Sequence, residues 1–213
     1  MKHIVFDLDG TLADTQKIHE KIESDFLASK WVILDPKVIG QTYAGRSPSE
    51  WIPECLIQNH TVFSHDEIDV FIESKDEKVI ALLWEWEISL ISGVIETLCV
   101  FQDQWIKMGI SSGACREFID RFIIYFSLDM IDANTSANEV TYKKPAPDVF
   151  LSSFARLEEL YGKPTQKWVV WDGKTDVIGG KASWAQTVLC FHEYPEISPD
   201  FQITDFSELQ NII

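Results

Sequence analysis

The feature that most constrains this chain is a solitary strand. Residues 3–8 (HIVFDL) are too continuously apolar for a half-exposed strand and read as one buried on both faces, as in a parallel sheet. The next stretch offers it no partner. Helical segments are expected at 15–31, 48–58 and 64–87, with no strand between them. The first sets Ile18, Ile22, Phe26 and Leu27 on one face and Lys17, Glu20, Lys21 and Glu23 on the other. The third opens with a Ser64-x-x-Glu67 capping box, and Trp84 and Trp86 near its end read as core. Only beyond Ser92-Gly93 does the pattern change: helix 94–103, strand 106–111, helix 116–125, strand 130–132, helix 147–161, strand 168–171, helix 176–185 and strand 187–191. Strand alternating with helix means a parallel, doubly wound sheet with right-handed crossovers. One strand cannot bury itself among helices, so the first must join that distant sheet. The expected fold is therefore α/β, a doubly wound, Rossmann-like core from residues 1–15 and 92–213, with an all-helical domain, residues 16–91, inserted after the first strand.

Composition narrows the function classes. Eight Trp and thirteen Phe in 213 residues supply the apolar surface that ordering the backbone requires. The charge balance, 18 Lys+Arg against 34 Asp+Glu for a net −16, opposes nonspecific attraction to nucleic acid or an anionic membrane, which needs clustered cations. No apolar run reaches the roughly 20 residues that span a bilayer. The four cysteines form no Cys-x-x-Cys pair, and the N-terminus is already strand-like, so a reducing, cytoplasmic setting is expected. No feature specifies an oligomeric state.

In an open parallel sheet, ligands bind beyond the carboxyl ends of the strands. The first strand delivers Asp7, Asp9 and Thr11 there. The second delivers Ser111 and Ser112, the segment before Pro147 offers Lys143 and Lys144, and the fourth strand leads to Asp172 and Asp176. Clustered carboxylates repel one another unless a cation sits among them, and a hard dication such as Mg²⁺ suits oxygen ligands and a substrate phosphate. One carboxylate can act as nucleophile and another as general acid and base, while a hydroxyl and an ammonium stabilise phosphoryl charge. These parts suit phosphoryl transfer through an aspartyl-phosphate. Gly173-Lys174-Thr175 imitates the end of a nucleotide-binding loop, but Trp168 stands where its upstream glycine is required.

Phe6-Asp7-Leu8-Asp9-Gly10-Thr11-Leu12-Ala13-Asp14-Thr15 resembles the first motif of the haloacid dehalogenase-like hydrolase superfamily. Gly109-Ile110-Ser111-Ser112-Gly113 resembles its second motif, Lys143 to Phe150 its third, and Val169 to Asp176 its fourth. The resemblance implies that Asp7 is nucleophile and Mg²⁺ ligand. It makes Asp9 the general acid and base, with its backbone carbonyl on the metal. It also implies that Ser112, Lys144 and Thr11 contact the substrate phosphate, with Ser111 as the alternative to Ser112, and that Asp172 anchors the metal with support from Asp176. The insertion resembles the family's helical cap, as in β-phosphoglucomutase and phosphoglycolate phosphatase. Within it, Tyr43 to Glu50 is similar to a cap segment in which Arg46 could reach a substrate anion or form an ordinary salt bridge. His19 resembles a residue of the cap hinge, with a plain helix histidine as the alternative. The aspartate at position 9 points to phosphate esters. The function implied is a Mg²⁺-dependent phosphatase of a small phosphorylated metabolite; the alternatives are a β-phosphoglucomutase-like phosphomutase and a noncatalytic binding protein on a decayed phosphatase fold. Three departures accompany the match: Trp171-Asp172-Gly173 where many capped members have Glu-Asp-Ser, Gly179-Gly180 in the following helix, where two glycines cost about 1–2 kcal/mol relative to alanine, and Trp184-Ala185-Gln186 where the usual pattern ends in Ala-Gly.

Overall fold

The computed structural model describes residues 1–43, 47–85 and 87–213, so Arg46 and Trp86 lie outside the described residues. In chain order the elements are β1 (Lys2–Phe6), α1 (Gln16–Ser29), α2 (Pro36–Tyr43), α3 (Pro48–Gln58), α4 (His65–Trp84), α5 (Val94–Asp103), β2 (Lys107–Ser112), α6 (Arg116–Tyr125), β3 (Ile131–Ser136), α7 (Asp148–Tyr161), β4 (Gln166–Trp171), α8 (Lys174–Ala182), β5 (Gln186–Cys190), β6 (Phe201–Ile203) and α9 (Leu209–Ile212). The chain divides into two compact units, one of Met1–Asp14 with Ser89–Ile213, the other of Thr15–Ile88.

In the first unit the strands form one parallel sheet in the order β3-β2-β1-β4-β5-β6. Phe6 on β1 pairs with Ile110 on one side and Val170 on the other, and Ile4, Val5 and Phe6 are fully buried. The lone strand is thus interior to the sheet, which is why it carries no polar face. Leu12 and Ala13 meet the returning chain: Ala13 bridges Leu90, and the Ile91 N–H donates to the Leu12 carbonyl at 3.0 Å. The α7 residues Val149, Phe150, Phe154 and Leu157 build a core cluster with Val169, Trp171 and Leu189.

Two strands differ from the sequence expectation. β3 runs to Ser136 rather than ending at Asp132, and its IDANTS sequence hides it because buried hydroxyls replace apolar side chains. Thr135 and Ser136 are fully buried, and the Thr135 hydroxyl accepts from Ser153 at 2.8 Å. β6, three residues long and paired only with β5, is too short to carry a period.

The Trp171 and Gly180 departures are one packing fact. The Trp171 indole is fully buried, and a Cβ on Gly180 would stand 2.6 Å from its Cζ3 and 2.9 Å from its Cη2. A Cβ on Gly179 would stand 3.0 Å from the Phe150 ring. Gly180 lets α8 lie against the indole, while Gly179 lets it lie against Phe150 and the backbone of Pro145 and Ala146.

In the second unit, Leu27, Ile39, Trp51, Ile52, Leu56, Ile68 and Phe71 form the core. Phe26 stacks on Phe71 with centroids 4.0 Å apart. Ser64 caps α4 as expected, its hydroxyl accepting from the Glu67 N–H while the Glu67 carboxylate accepts from the Ser64 N–H. Glu23 on α1 and Lys75 on α4 form a buried ion pair. Trp84 departs from its expected place in the core: at the end of α4 it is 49% exposed. The eight-residue α2 (PKVIGQTY), with an interior glycine, was too short and too polar to read as a helix from sequence.

Candidate active site in the core unit

The strand order reverses between β1 and β4, since β2 and β3 extend the sheet to one side of β1 and β4 to β6 to the other. Such a switch point opens a crevice at the carboxyl ends of the two strands. Asp7 directly follows β1, and its N–H donates to the Val170 carbonyl of β4 at 2.9 Å. Asp172 directly follows β4. The two carboxylates therefore share the crevice because the hydrogen-bonded register of β1 with β4 puts them there.

The turn after Asp7 is shaped by Gly10, whose φ of +75° suits glycine. A Cβ there would lie 2.1 Å from Asp172 Oδ2, so the backbone approaches that carboxylate as only glycine permits. Lys144, brought in ahead of α7, places its Nζ 2.8 Å from Asp7 Oδ1 and 2.5 Å from Asp176 Oδ1. Asp176 sits in the first turn of α8, beyond the N-cap Gly173, where the helix dipole favours a carboxylate. It is a buried partner of Lys144, so its role is more than that of a helix-start acid. Lys143 has no place among these ion pairs and is exposed.

The two serines at the end of β2 face different ways. The Ser111 hydroxyl donates to the Val149 carbonyl at 3.0 Å and bonds Ser153 at 2.8 Å, inside a buried hydroxyl network that ties α7 to β2 and β3. The Ser112 hydroxyl faces Asp9, 3.4 Å from Oδ2, and accepts from the Ala114 N–H at 3.0 Å. Side chains alternate across a strand, so only Ser112 stands at the site. Thr11, expected as a phosphate contact, is fully buried, and its hydroxyl lies 3.3 Å from Asp172 Oδ1. His19 stands in the first turn of α1, in the helical unit, outside the unit that carries these carboxylates.

Burial dominates the electrostatics. It pushes the Asp7 pKa up to about 7; Lys144 pulls the other way, while Asp176 and Asp9 add to the rise. Asp172 is likewise held well above the usual carboxylate range, by burial first and then by Asp7 and Asp176. Burial works against the Lys144 ammonium, yet Asp176 and Asp7 outweigh it and hold the pKa above its ordinary value. Three carboxylates thus share one ammonium. Among the described residues no three His, Cys, Asp or Glu side chains close a ready-made metal cage. An excess of buried oxygen donors at one crevice fits Mg²⁺, which takes few protein carboxylates and completes its shell with water and substrate oxygens. Asp7, Asp172 and Asp176 are the residues here that could hold it.

Sequence reading missed two side chains at this rim. Beyond β5, the His192 Nε2 lies 3.9 Å from Asp172 Oδ2. Tyr194 has its hydroxyl pKa pushed up to about 12, by burial and then by Asp172, Asp176 and Glu196. Their position at a strand's carboxyl end was the only available signal, and it did not distinguish them from other loop residues.

Comparison with known proteins agrees with this fold. Protein CbbY of Rhodobacter capsulatus is 25% identical over 97% of this chain and 92% of its own length. Hexitol phosphatase B of Escherichia coli K12 is 24% identical over 94% of this chain and 88% of its own. The crystal structure of a β-phosphoglucomutase from Clostridium difficile superposes with a TM-score of 0.84 at 21% identity, covering 99% of this chain and 94% of that one. The sequence model of haloacid dehalogenase-like hydrolases matches residues 4–190, a span that runs from β1 through the whole set of carboxylates to the end of β5. By that match the chain belongs to the haloacid dehalogenase-like hydrolases.

Proposed function

We propose that this hydrolase is a Mg²⁺-dependent phosphatase of a small phosphorylated metabolite, a sugar phosphate or phosphoglycolate-like ester, acting through an aspartyl-phosphate on Asp7. The observation that carries this reading is the contrast between two aspartates on one turn. Asp7 is buried against the Lys144 ammonium, whereas Asp9 is partly exposed and faces the Ser112 hydroxyl. Carboxylates in unlike settings suit unlike roles. The Asp7 carboxylate attacks phosphorus while the bond to the ester oxygen breaks, and Asp9 gives that oxygen its proton. Asp9 then takes a proton from the water that cleaves the acyl phosphate, releasing inorganic phosphate and restoring Asp7. Lys144 and Ser112 donate to the phosphoryl oxygens. Asp7, Asp172 and the Asp9 carbonyl, with Asp176 behind them, would hold Mg²⁺, which when bound neutralises charge on the phosphoryl group. Residues 16–91 act in this reading as a cap that selects the substrate, with His19 and Arg46 among its residues. The name of hexitol phosphatase B, a relative of similar length, supports a phosphate ester as substrate.

Release of inorganic phosphate from a panel of phosphorylated metabolites tests the reading. Steady release is expected, with Asp7→Asn folded but inactive. Turnover of Asp7→Asn within tenfold of the unsubstituted protein would refute the covalent route. Isomerisation of a sugar 1-phosphate faster than phosphate release, accelerated by a bisphosphate, would make the protein a phosphomutase. No turnover of any ester, with phosphate still bound, would make it a binding protein.

A further inference from the structure

The chain leaves β5 through a turn that aims one side chain back at the site. The His192 N–H donates to the Cys190 carbonyl at 2.8 Å, closing a three-residue turn. At its centre Phe191 takes a φ of +66°, a conformation that bulky residues rarely adopt. The turn is tied down on both sides by β6: the Phe191 N–H donates to the Ile203 carbonyl at 2.8 Å, and the Gln202 side-chain amide donates to the His192 carbonyl at 3.0 Å. Strained backbone held by its surroundings is characteristic of functional positions. Its effect here is to bring the imidazole Nε2 to 3.9 Å from Asp172 Oδ2, while Thr11 occupies Oδ1 of the same carboxylate at 3.3 Å.

We infer that His192 is a positioning residue for Asp172, its imidazole N–H holding Oδ2 as the Thr11 hydroxyl holds Oδ1, so that the carboxylate is oriented before a divalent cation arrives. The distance exceeds a direct hydrogen bond. A small rotation of this half-exposed side chain, or one bridging water, closes it. Outer partners of this kind orient metal-binding carboxylates, and losing one typically costs 10–100-fold in metal affinity. The proposal rests on the reading of the crevice as a Mg²⁺ site.

The test is Mn²⁺ binding, followed by electron paramagnetic resonance with inorganic phosphate present, for the unsubstituted protein, His192→Ala, His192→Gln and Asp172→Asn. His192→Ala should bind Mn²⁺ about 10–100-fold more weakly, and His192→Gln, which keeps an N–H donor, should recover most of that loss. With a turned-over ester, His192→Ala should need more Mg²⁺ for half-maximal rate yet approach the unsubstituted kcat at saturation. Mn²⁺ binding by His192→Ala within twofold of the unsubstituted protein, with Asp172→Asn clearly impaired, overturns the inference and leaves the metal site standing. Unimpaired binding by Asp172→Asn overturns both.

Discussion

Adding one methyl group to α8 should be costly although it improves the helix. In Gly180→Ala the new Cβ would lie 2.6 Å from Trp171 Cζ3 and 3.3 Å from Thr187 Cγ2. Comfortable carbon contacts are about 3.5–4.0 Å, so the overlap with the indole is about 1 Å. Trp171 is fully buried in a cluster with Phe150, Val177 and Leu189, so it has no free space to move into. Overpacking a filled core costs about 1–3 kcal/mol; alanine in place of glycine in a helix returns about 1 kcal/mol. The net loss should be up to about 2 kcal/mol. Urea unfolding followed by circular dichroism would read this, at about 2 kcal/mol per molar, as a midpoint lowered by up to about 1 M. In a Trp171→Leu background the clash disappears, and the same Gly180→Ala change should become stabilising by up to about 1 kcal/mol. The two effects differ by more than the about 0.5 kcal/mol within which uncoupled sites add. A Gly180→Ala midpoint above that of the unsubstituted protein, or the same change in both backgrounds, would refute the account of the Trp171–Gly180 contact.

Asp9→Asn should lose about 10²–10⁴ in rate on an alkyl phosphate, the usual worth of general acid catalysis, and distinctly less on p-nitrophenyl phosphate, whose leaving group needs no proton; equal losses on both would remove Asp9 from that role. Asp172→Ala should stay inactive at any practical Mg²⁺ concentration, whereas Asp176→Ala, one step further from the metal, should be partly rescued by excess Mg²⁺; a normal Mg²⁺ requirement in Asp172→Ala would show the site misassigned. Lys75→Met leaves Glu23 buried without its partner and should cost about 3–5 kcal/mol, while the double change Glu23→Leu with Lys75→Met should recover most of it; urea midpoints of the three variants decide. His3 on β1 is fully buried, with neither ring nitrogen hydrogen-bonded among the described residues. Burial lowers its pKa from 6.5, with Lys167 and the N-terminus assisting and Glu158 and Asp132 opposing. The unfolded chain therefore takes up the proton first as pH falls. This contribution to stability is complete above about pH 6.5 and is lost as the pH drops through the lowered folded value. His3→Leu should flatten that part of the profile, and an unchanged slope between pH 7 and 5 would refute it.

The fold class was legible because its signals are local. A strand with no polar face, a Ser64–Glu67 box and alternating periods each depend on residues within a few positions, and together they admit few topologies. The resemblance at the four motifs likewise named Asp7, Asp9, Lys144, Asp172 and Asp176 without structure. What sequence left open depends on contacts between distant residues. Ser111 and Ser112 are adjacent in sequence and of one type; only the packing of α7 on β2 sends the first into a hydroxyl network and leaves the second at Asp9. Thr11 lies in the first motif, yet its hydroxyl goes to Asp172, 161 residues on. The polar β3 was half hidden because its buried hydroxyls are satisfied from a distance, Thr135 by Ser153 on α7 and Ser136 by the Ala114 carbonyl, which no short window around residue 135 contains. Trp171 and Gly180 looked like separate oddities and are one contact. His192 carried no motif at all, since its meaning lies in a turn that points it at Asp172. Short-range patterning determined which elements form and which residues reach the sheet's carboxyl edge; the partner of each side chain there was decided by tertiary packing, because a hydrogen bond or a steric contact is settled by atoms that chain order does not bring together.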